Sequence, residues 1–371
     1  MRDDQIVLGQ VGYGYWGPNI LRNLMECREA EVKYVCDKKP EQLTKAQRRY
    51  PSIIVTQDFR DLLNDPEVDG VLITTTVSTH YELARAALLA RKHVFVEKPL
   101  ASTVGTAEEL VALAKAQSRT LMVGHTFEYS PPVIKIKELI DAGELGEIYY
   151  VSSSRVNLGL HQRDVSVIWD LAPHDFSILL HWLDEEPAHI SAYGRACVQP
   201  GVADVAFVNL SFQSGTVAQV QLSWLSPIKL RRTVIVGSKK MLLYDDTESV
   251  EKVKLFDHGV NPIEPNSFGE FQLSYRTGDI LSPRIETHEP LYMETKHFCE
   301  CIMTGRTPRS DGWDGLRVVR ALERADASLK ENGNLAGGKD RNGDGRERSW
   351  DGSSEFESEK RAVLFAVKGR K

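Results

Sequence analysis

Cysteine is sparse in this 371-residue chain: five residues, odd in number and scattered at Cys27, Cys36, Cys197, Cys299 and Cys301. No two have CxxC spacing and no Cys/His run has zinc-ligand spacing, which excludes a disulfide-stapled scaffold and a zinc module. A reduced, cytoplasmic chain with no metal is the expectation. A basic excess is also missing, since 46 Lys and Arg stand against 52 Asp and Glu for a formal net charge of −6. Nucleic-acid binding usually requires the opposite balance, so an anionic ligand must be met by a local cluster. No apolar run reaches the roughly 18–20 residues of a membrane span. The start, MRDDQIVLGQV, puts two acids where a signal peptide carries its basic region, so neither a membrane nor export is expected.

What the chain does contain is enough apolar material for sizeable cores, with 42% hydrophobic and 26% charged residues. Its length suggests two domains and a remainder, at roughly 100–200 residues per domain. From residue 6 the pattern alternates short apolar runs (IVLGQV, VKYVCD, GVLITT, HVFVE, TLMVG) with amphipathic stretches. Strands that are nearly continuous in β-branched and apolar residues, separated by helices, imply a parallel sheet buried on both faces. Residues 1–125 therefore read as a doubly wound α/β domain.

After His125 the texture changes. A helix from Pro131–Pro132 to about Ala142 is followed by longer runs of period two, clearest in TVAQVQLSW. There Val220, Leu222 and Trp224 share one face and Gln219, Gln221 and Ser223 the other, as in a sheet with unlike faces, usually antiparallel. Residues 126–335 read as an α+β domain with an open, mostly antiparallel sheet, one strong helix at about 171–182, and closing helices near 290–303 and 314–331. Residues 336–371 have the Gly, Ser and charge content of a disordered tail. Asp340, Asn342, Asp344, Gly345 and Asp351 mimic a calcium loop in spacing. Glu347 at a position that should be apolar, opposing arginines and the lack of flanking helices make that a chance match.

Three motifs carry chemistry. Gly12-Tyr13-Gly14-Tyr15-Trp16-Gly17 follows the first strand and opens the first helix. Gly12 suits the tight turn, Gly14 the approach of a pyrophosphate and Gly17 close helix packing, with the helix N-terminus holding the phosphates. Asp37 ends the second strand, where an acid accepts hydrogen bonds from the adenosine ribose; a carboxylate repels a 2′-phosphate, so NAD is expected rather than NADP, although Lys38 and Lys39 follow it. Glu97-Lys98-Pro99 follows a strand whose carboxyl end faces the ligand crevice, so Lys98 is a cation placed to stabilise a developing alkoxide. In Trp169-Asp170-Leu171-Ala172-Pro173-His174-Asp175, Asp170 near the helix N-cap and His174 stand one turn apart, the arrangement of a general base oriented by a carboxylate.

The glycine loop, Asp37, TTTVSTH (74–80), EKP (97–99) and the D-x-x-x-H helix together resemble the glucose–fructose oxidoreductase / inositol dehydrogenase (Gfo/Idh/MocA) family, over residues 5–333. The resemblance implies a Rossmann domain plus an open-faced α/β domain, NAD(P)-dependent oxidation of a carbohydrate-like hydroxyl, and homodimers or homotetramers built on the sheet faces. It implies cofactor contacts from Tyr15, Trp16, Thr75, Thr76, His80, Glu97 and Lys98, with Lys98 and His174 as catalytic pair and Asp170 beside them. The helix departs from the family's D-x-G-x-H-x-x-D at Ala172 and Ser177. GYGYWGPN, GHTFEYSP (124–131), RVNLG (155–159), WDLAPHD and SYRTGDI (274–280) look like the branch of UDP-N-acetylglucosamine or UDP-N-acetylglucosaminuronate 3-dehydrogenases. Arg155, Asn157, Tyr275 and Arg276 would then bind the UDP-sugar, with one of Arg231 and Arg232 on a phosphate. The alternatives are a dehydrogenase of a free polyol or sugar, such as inositol or an anhydro-hexose, and a non-catalytic dinucleotide-binding regulator.

Overall fold

The computed structural model describes residues 5–159, 161–162, 165–263 and 272–333; the tail and its calcium-like spacing lie outside the described residues. The first sheet contains β1 (Ile6–Val11), β2 (Ala30–Cys36), β3 (Ile54–Thr56), β4 (Gly70–Ile73), β5 (His93–Glu97) and β6 (Leu121–Gly124). Its order is β3-β2-β1-β4-β5-β6 with every pair parallel. The order reverses between β1 and β4, and ligands of such sheets bind beyond the strands' carboxyl ends at that point. Helices α1 (Gly17–Glu26), α2 (Pro40–Arg49), α3 (Arg60–Asn64), α4 (His80–Leu89) and α5 (Val104–Ala116) connect the strands. On α1 the apolar face is Ile20, Leu21 and Leu24, all fully buried, each contributing about 1.5–3 kcal/mol of transfer free energy. The N-cap of α5 is Thr103, whose side chain accepts from the Thr106 N–H at 3.2 Å.

Helix α6 (Pro131–Asp141) ends before Gly143, whose φ of +68° is left-handed backbone that glycine adopts without strain. The second sheet contains β7 (Ile148–Leu158), β8 (His189–Arg195), β9 (Val205–Ser211), β10 (Val217–Ser223), β11 (Leu225–Gly237), β12 (Met241–Asp245), β13 (Val253–Ile263) and β14 (Gln272–Leu281). Its order is β14-β13-β12-β11-β7-β10-β9-β8, antiparallel except for β7 with β10. Helix α7 (Val167–Leu183) covers one face, where Phe176, Leu179 and Trp182 share a core with Val151, Val220, Leu222 and Trp224. The other face carries Tyr150, Tyr193, Phe207 and Val217, all exposed.

The structure departs from the sequence expectation in three places. Strands β13 and β14 were not anticipated, because their runs lack clean alternation. The strong helix begins at Val167, one turn earlier than expected, with Ser166 as its cap residue. Asp170 is therefore inside the first turn rather than near the N-cap, and Pro173 lies within the helix. Finally, α8 (Pro290–Thr304) packs on the first sheet beside α1, with Phe298 and Cys299 against Phe95 and Met122, rather than closing the second sheet. Helix α9 (Gly312–Gly333) packs on both α5 and α7.

Candidate active site

The glycine loop behaves as its sequence requires. Gly12 has φ +94°, and a Cβ there would lie 2.6 Å from the Thr74 carbonyl oxygen. At Gly17 a Cβ would lie 2.4 Å from the Gly12 carbonyl oxygen, whereas at Gly14 nothing stands within 4 Å. The buried Gln10 amide donates to the carbonyls of Gly12 and Gly17 at 2.9 Å each, and the Thr74 hydroxyl donates to Gly12 at 2.6 Å. Gln10 was not anticipated; it lies in a strand that reads as apolar. With the loop carbonyls held inward, the open side at Gly14 and the N-terminus of α1, where the cap residue Trp16 makes no side-chain capping hydrogen bond, form a cradle that a pyrophosphate fits. Tyr15 and Trp16 stand exposed beside it, edge to face with centroids 5.7 Å apart.

Asp37 accepts from the Tyr13 backbone N–H at 2.7 Å and the Lys39 N–H at 2.8 Å, so it also fixes the loop that it flanks. Thr75 and Thr79 share a hydroxyl contact of 2.7 Å, and Thr76 meets Ser78 at 3.3 Å. The buried His80 ring lies between the carbonyl oxygens of Pro99 (2.8 Å) and Thr75 (3.1 Å), bracing the turn after β4 against the EKP segment. Burial lowers its pKa.

At the end of β5, Lys98 reaches across to α7, and its Nζ donates to the Asp170 carbonyl oxygen at 3.0 Å. A proline inside a helix removes a backbone donor and crowds the carbonyl four residues back; for Pro173 that is the Trp169 carbonyl, next to Asp170 in the same turn. Burial lowers the Lys98 pKa, against the pull of Asp170 and Glu97. The Glu97 carboxyl is itself pushed up to about 7 by burial. The expected carboxylate–histidine pair is not formed: Asp170 Oδ2 accepts from Trp224 Nε1 at 2.9 Å, and His174 Nδ1 is buried with no partner among the described residues. The reason is direction, since Trp224, just past β10, reaches Asp170 from the sheet. His174 stands edge-on to Phe127 at 5.0 Å. Its pKa is well down, first through burial and then through the cations Lys98, Arg155 and Arg231, so the ring is a neutral acceptor.

The structure thus brings Lys98, Asp170, His174 and Arg155 together. Arg155 lies over the Phe127 ring at 4.6 Å, and its Nε is ion-paired with the buried Asp175; Nη1 has no partner. Asn157 is half-buried farther along β7, its amide beside Gly159 and Trp224. Arg231, cross-strand from Arg155, lies over Phe127 at 5.8 Å and pairs with Asp246 at 3.2 Å, while Arg232 pairs with Asp245. Tyr275 and Arg276 join none of these groups: Tyr275 is exposed on β14, and Arg276 binds Asp257 and the Lys239 carbonyl. Sequence reading missed His125, at the end of β6. Its ring is fully buried with neither nitrogen partnered among the described residues, and burial followed by Lys98 pushes its pKa down to about 3. The strand-end argument that selected Lys98 applies to it equally.

A parallel sheet with this switch point, a glycine cradle and a half-buried lysine beyond β5 define a dinucleotide-dependent oxidoreductase. Residues 6–125 match the model described as "Oxidoreductase family, NAD-binding Rossmann fold", and residues 133–243 match the GFO/IDH/MocA C-terminal domain. The chain belongs to the GFO/IDH/MocA family: it is an NAD-type dehydrogenase acting on hydroxyl groups of sugars or polyols. It is 26% identical to the uncharacterized oxidoreductase YrbE of Bacillus subtilis, over 88% of this chain and 94% of that one. It is 28% identical to scyllo-inositol 2-dehydrogenase (NAD(+)) of the same organism, over 68% and 73%. Its fold matches that of UDP-N-acetylglucosamine 3-dehydrogenase GnnA from Acidithiobacillus ferrooxidans with a TM-score of 0.74 at 24% identity, over 88% and 98%.

Proposed function

We propose that the protein oxidises a ring hydroxyl, at C3, of a UDP-sugar such as UDP-N-acetylglucosamine or its uronic acid to the 3-keto sugar. The observation that carries the reaction is the tie between Lys98 and the first turn of α7, which holds an ammonium one helical turn from a neutral, half-buried imidazole. NAD, bound along the glycine loop, supplies the hydride acceptor. His174 takes the hydroxyl proton. Lys98 donates to the substrate oxygen and stabilises the alkoxide as the carbon loses hydride. Asp170, held by Trp224, positions the carbonyl on which Lys98 rests.

Arg231, over Phe127 and ion-paired with Asp246, supports a phosphorylated substrate by keeping a guanidinium near His174. A free polyol is the second reading. Arg155 is engaged by Asp175, Arg231 by Asp246 and Arg276 by Asp257, which leaves fewer cations for a diphosphate. A panel of UDP-N-acetylglucosamine, its uronic acid and free inositols, followed by NADH formation, decides between them. Turnover of inositols alone overturns the UDP-sugar reading. The exposed face of the second sheet, with Tyr150, Tyr193 and Phe207, supports a homodimer or homotetramer; a monomeric mass in solution would refute it.

A further inference from the structure

At the end of the first sheet opposite the glycine loop lies a cleft of about 560 Å³, between the starts of β5 and β6, the end of α5, the turn after α8 and the start of α9. It is lined by three cations, Lys115, Arg119 and Arg306, with Trp313 on one side and Asp311 the one acid among its described lining residues. Asp311 already accepts from the Asp314 N–H at 2.9 Å.

Two lining residues face each other with donors only. His93 Nδ1 accepts from the Thr120 backbone N–H at 3.0 Å. Burial, followed by Arg119, pushes the ring's pKa down to about 4, so it is neutral and its proton sits on Nε2. That N–H faces Arg119 Nη1 at 3.2 Å, and a guanidinium cannot accept. Arg119 Nε is buried with no partner among the described residues. Three N–H donors therefore gather where the protein supplies no acceptor, inside a cleft with two further cations. An oxyanion resolves the conflict, and an excess of two positive charges suits a dianion better than a carboxylate.

We propose that this cleft is a binding site for a phosphoryl group, distinct from the dinucleotide and substrate sites, in which Arg119 and His93 Nε2–H donate to the oxygens while Lys115 and Arg306 supply charge. It rests on neither the cofactor nor the substrate reading.

The test is calorimetric titration of inorganic phosphate into the full chain saturated with NAD, at constant ionic strength, so that the glycine loop is closed to the probe. We expect saturable binding, weakened at least tenfold in Arg119→Gln and in the double variant Lys115→Ala/Arg306→Ala. Lys115 and Arg306 are exposed, so the double variant should keep the parent melting temperature without phosphate and decides alone if Arg119→Gln does not fold. Absence of saturable binding overturns the proposal. Binding of unchanged strength in the double variant also overturns it, by placing the phosphate elsewhere.

Discussion

Lys98 Nζ donates to the main-chain carbonyl of Asp170 at 3.0 Å, while the Asp170 carboxylate accepts from Trp224 Nε1 at 2.9 Å. One residue of α7 thus joins the end of β5 in the first sheet to the end of β10 in the second. An ammonium has three donors, so this backbone contact leaves Lys98 N–H groups to turn toward a substrate hydroxyl. The tie places the lysine without neutralising it.

Replacing Lys98 by Met should therefore remove chemistry and leave binding. We expect kcat to fall by about 10²–10⁴, the usual worth of a positioned proton-handling group, with NAD affinity retained by fluorescence titration. His174→Asn should show the same split. Lys98→Arg should not restore turnover, because a planar guanidinium cannot reproduce the ammonium's direction toward both the Asp170 carbonyl and the substrate. If turnover with the best substrate survived both Lys98→Met and His174→Asn, the catalytic assignment would be wrong.

The second and third glycines of the loop should fail differently. A Cβ on Gly17 would lie 2.4 Å from the Gly12 carbonyl, so Gly17→Ala should lower the melting temperature as well as NAD binding. A Cβ on Gly14 meets nothing within 4 Å, so Gly14→Ala should melt as the parent does while binding NAD at least tenfold more weakly. The reverse pattern in melts and titrations would show that the pyrophosphate does not lie over Gly14.

The parallel first sheet and the glycine loop were legible because their signals are local: strand runs, helix spacing and three glycines at one turn. Lys98 and His174 were legible as residue types at the right ends of elements. What joins them was not. The Trp224–Asp170 bond spans 54 residues, and Trp224 was read only as a core-facing side chain of its strand. The same holds for Asp175, an acid one position past His174 whose ion pair with Arg155 takes up a guanidinium expected for the substrate. Helix α8 was misplaced for a related reason: amphipathic spacing gives an apolar face but not which sheet it covers.

Trp224→Phe keeps an aromatic ring in the core but a smaller one, and deletes the N–H, leaving the Asp170 carboxylate without that donor. We expect a loss of about 1–3 kcal/mol in unfolding free energy and a fall in kcat from a loosened Lys98 rest. A double-mutant cycle with Asp170→Ala checks this: the two losses should couple, whereas strict additivity would mean that the bond stabilises nothing.

His125 should give the acid limb of the stability curve a distinctive slope. Its folded pKa is about 3, against the usual value of 6.5, with Lys98 and His174 the charged or titratable groups nearest it. Between those pH values the unfolded chain binds the proton and the folded chain does not, so stability falls as pH drops from 6.5 toward 3 and is fully present above 6.5. The slope from one group is at most about 1.4 kcal/mol per pH unit. His125→Leu removes two unpartnered nitrogens and the titration with them. The variant should be at least as stable as the parent at pH 7.5, and its advantage should widen steadily in denaturant unfolding series from pH 6.5 to 4. Parallel curves for the two proteins would show that His125 is protonated or solvated in the folded state.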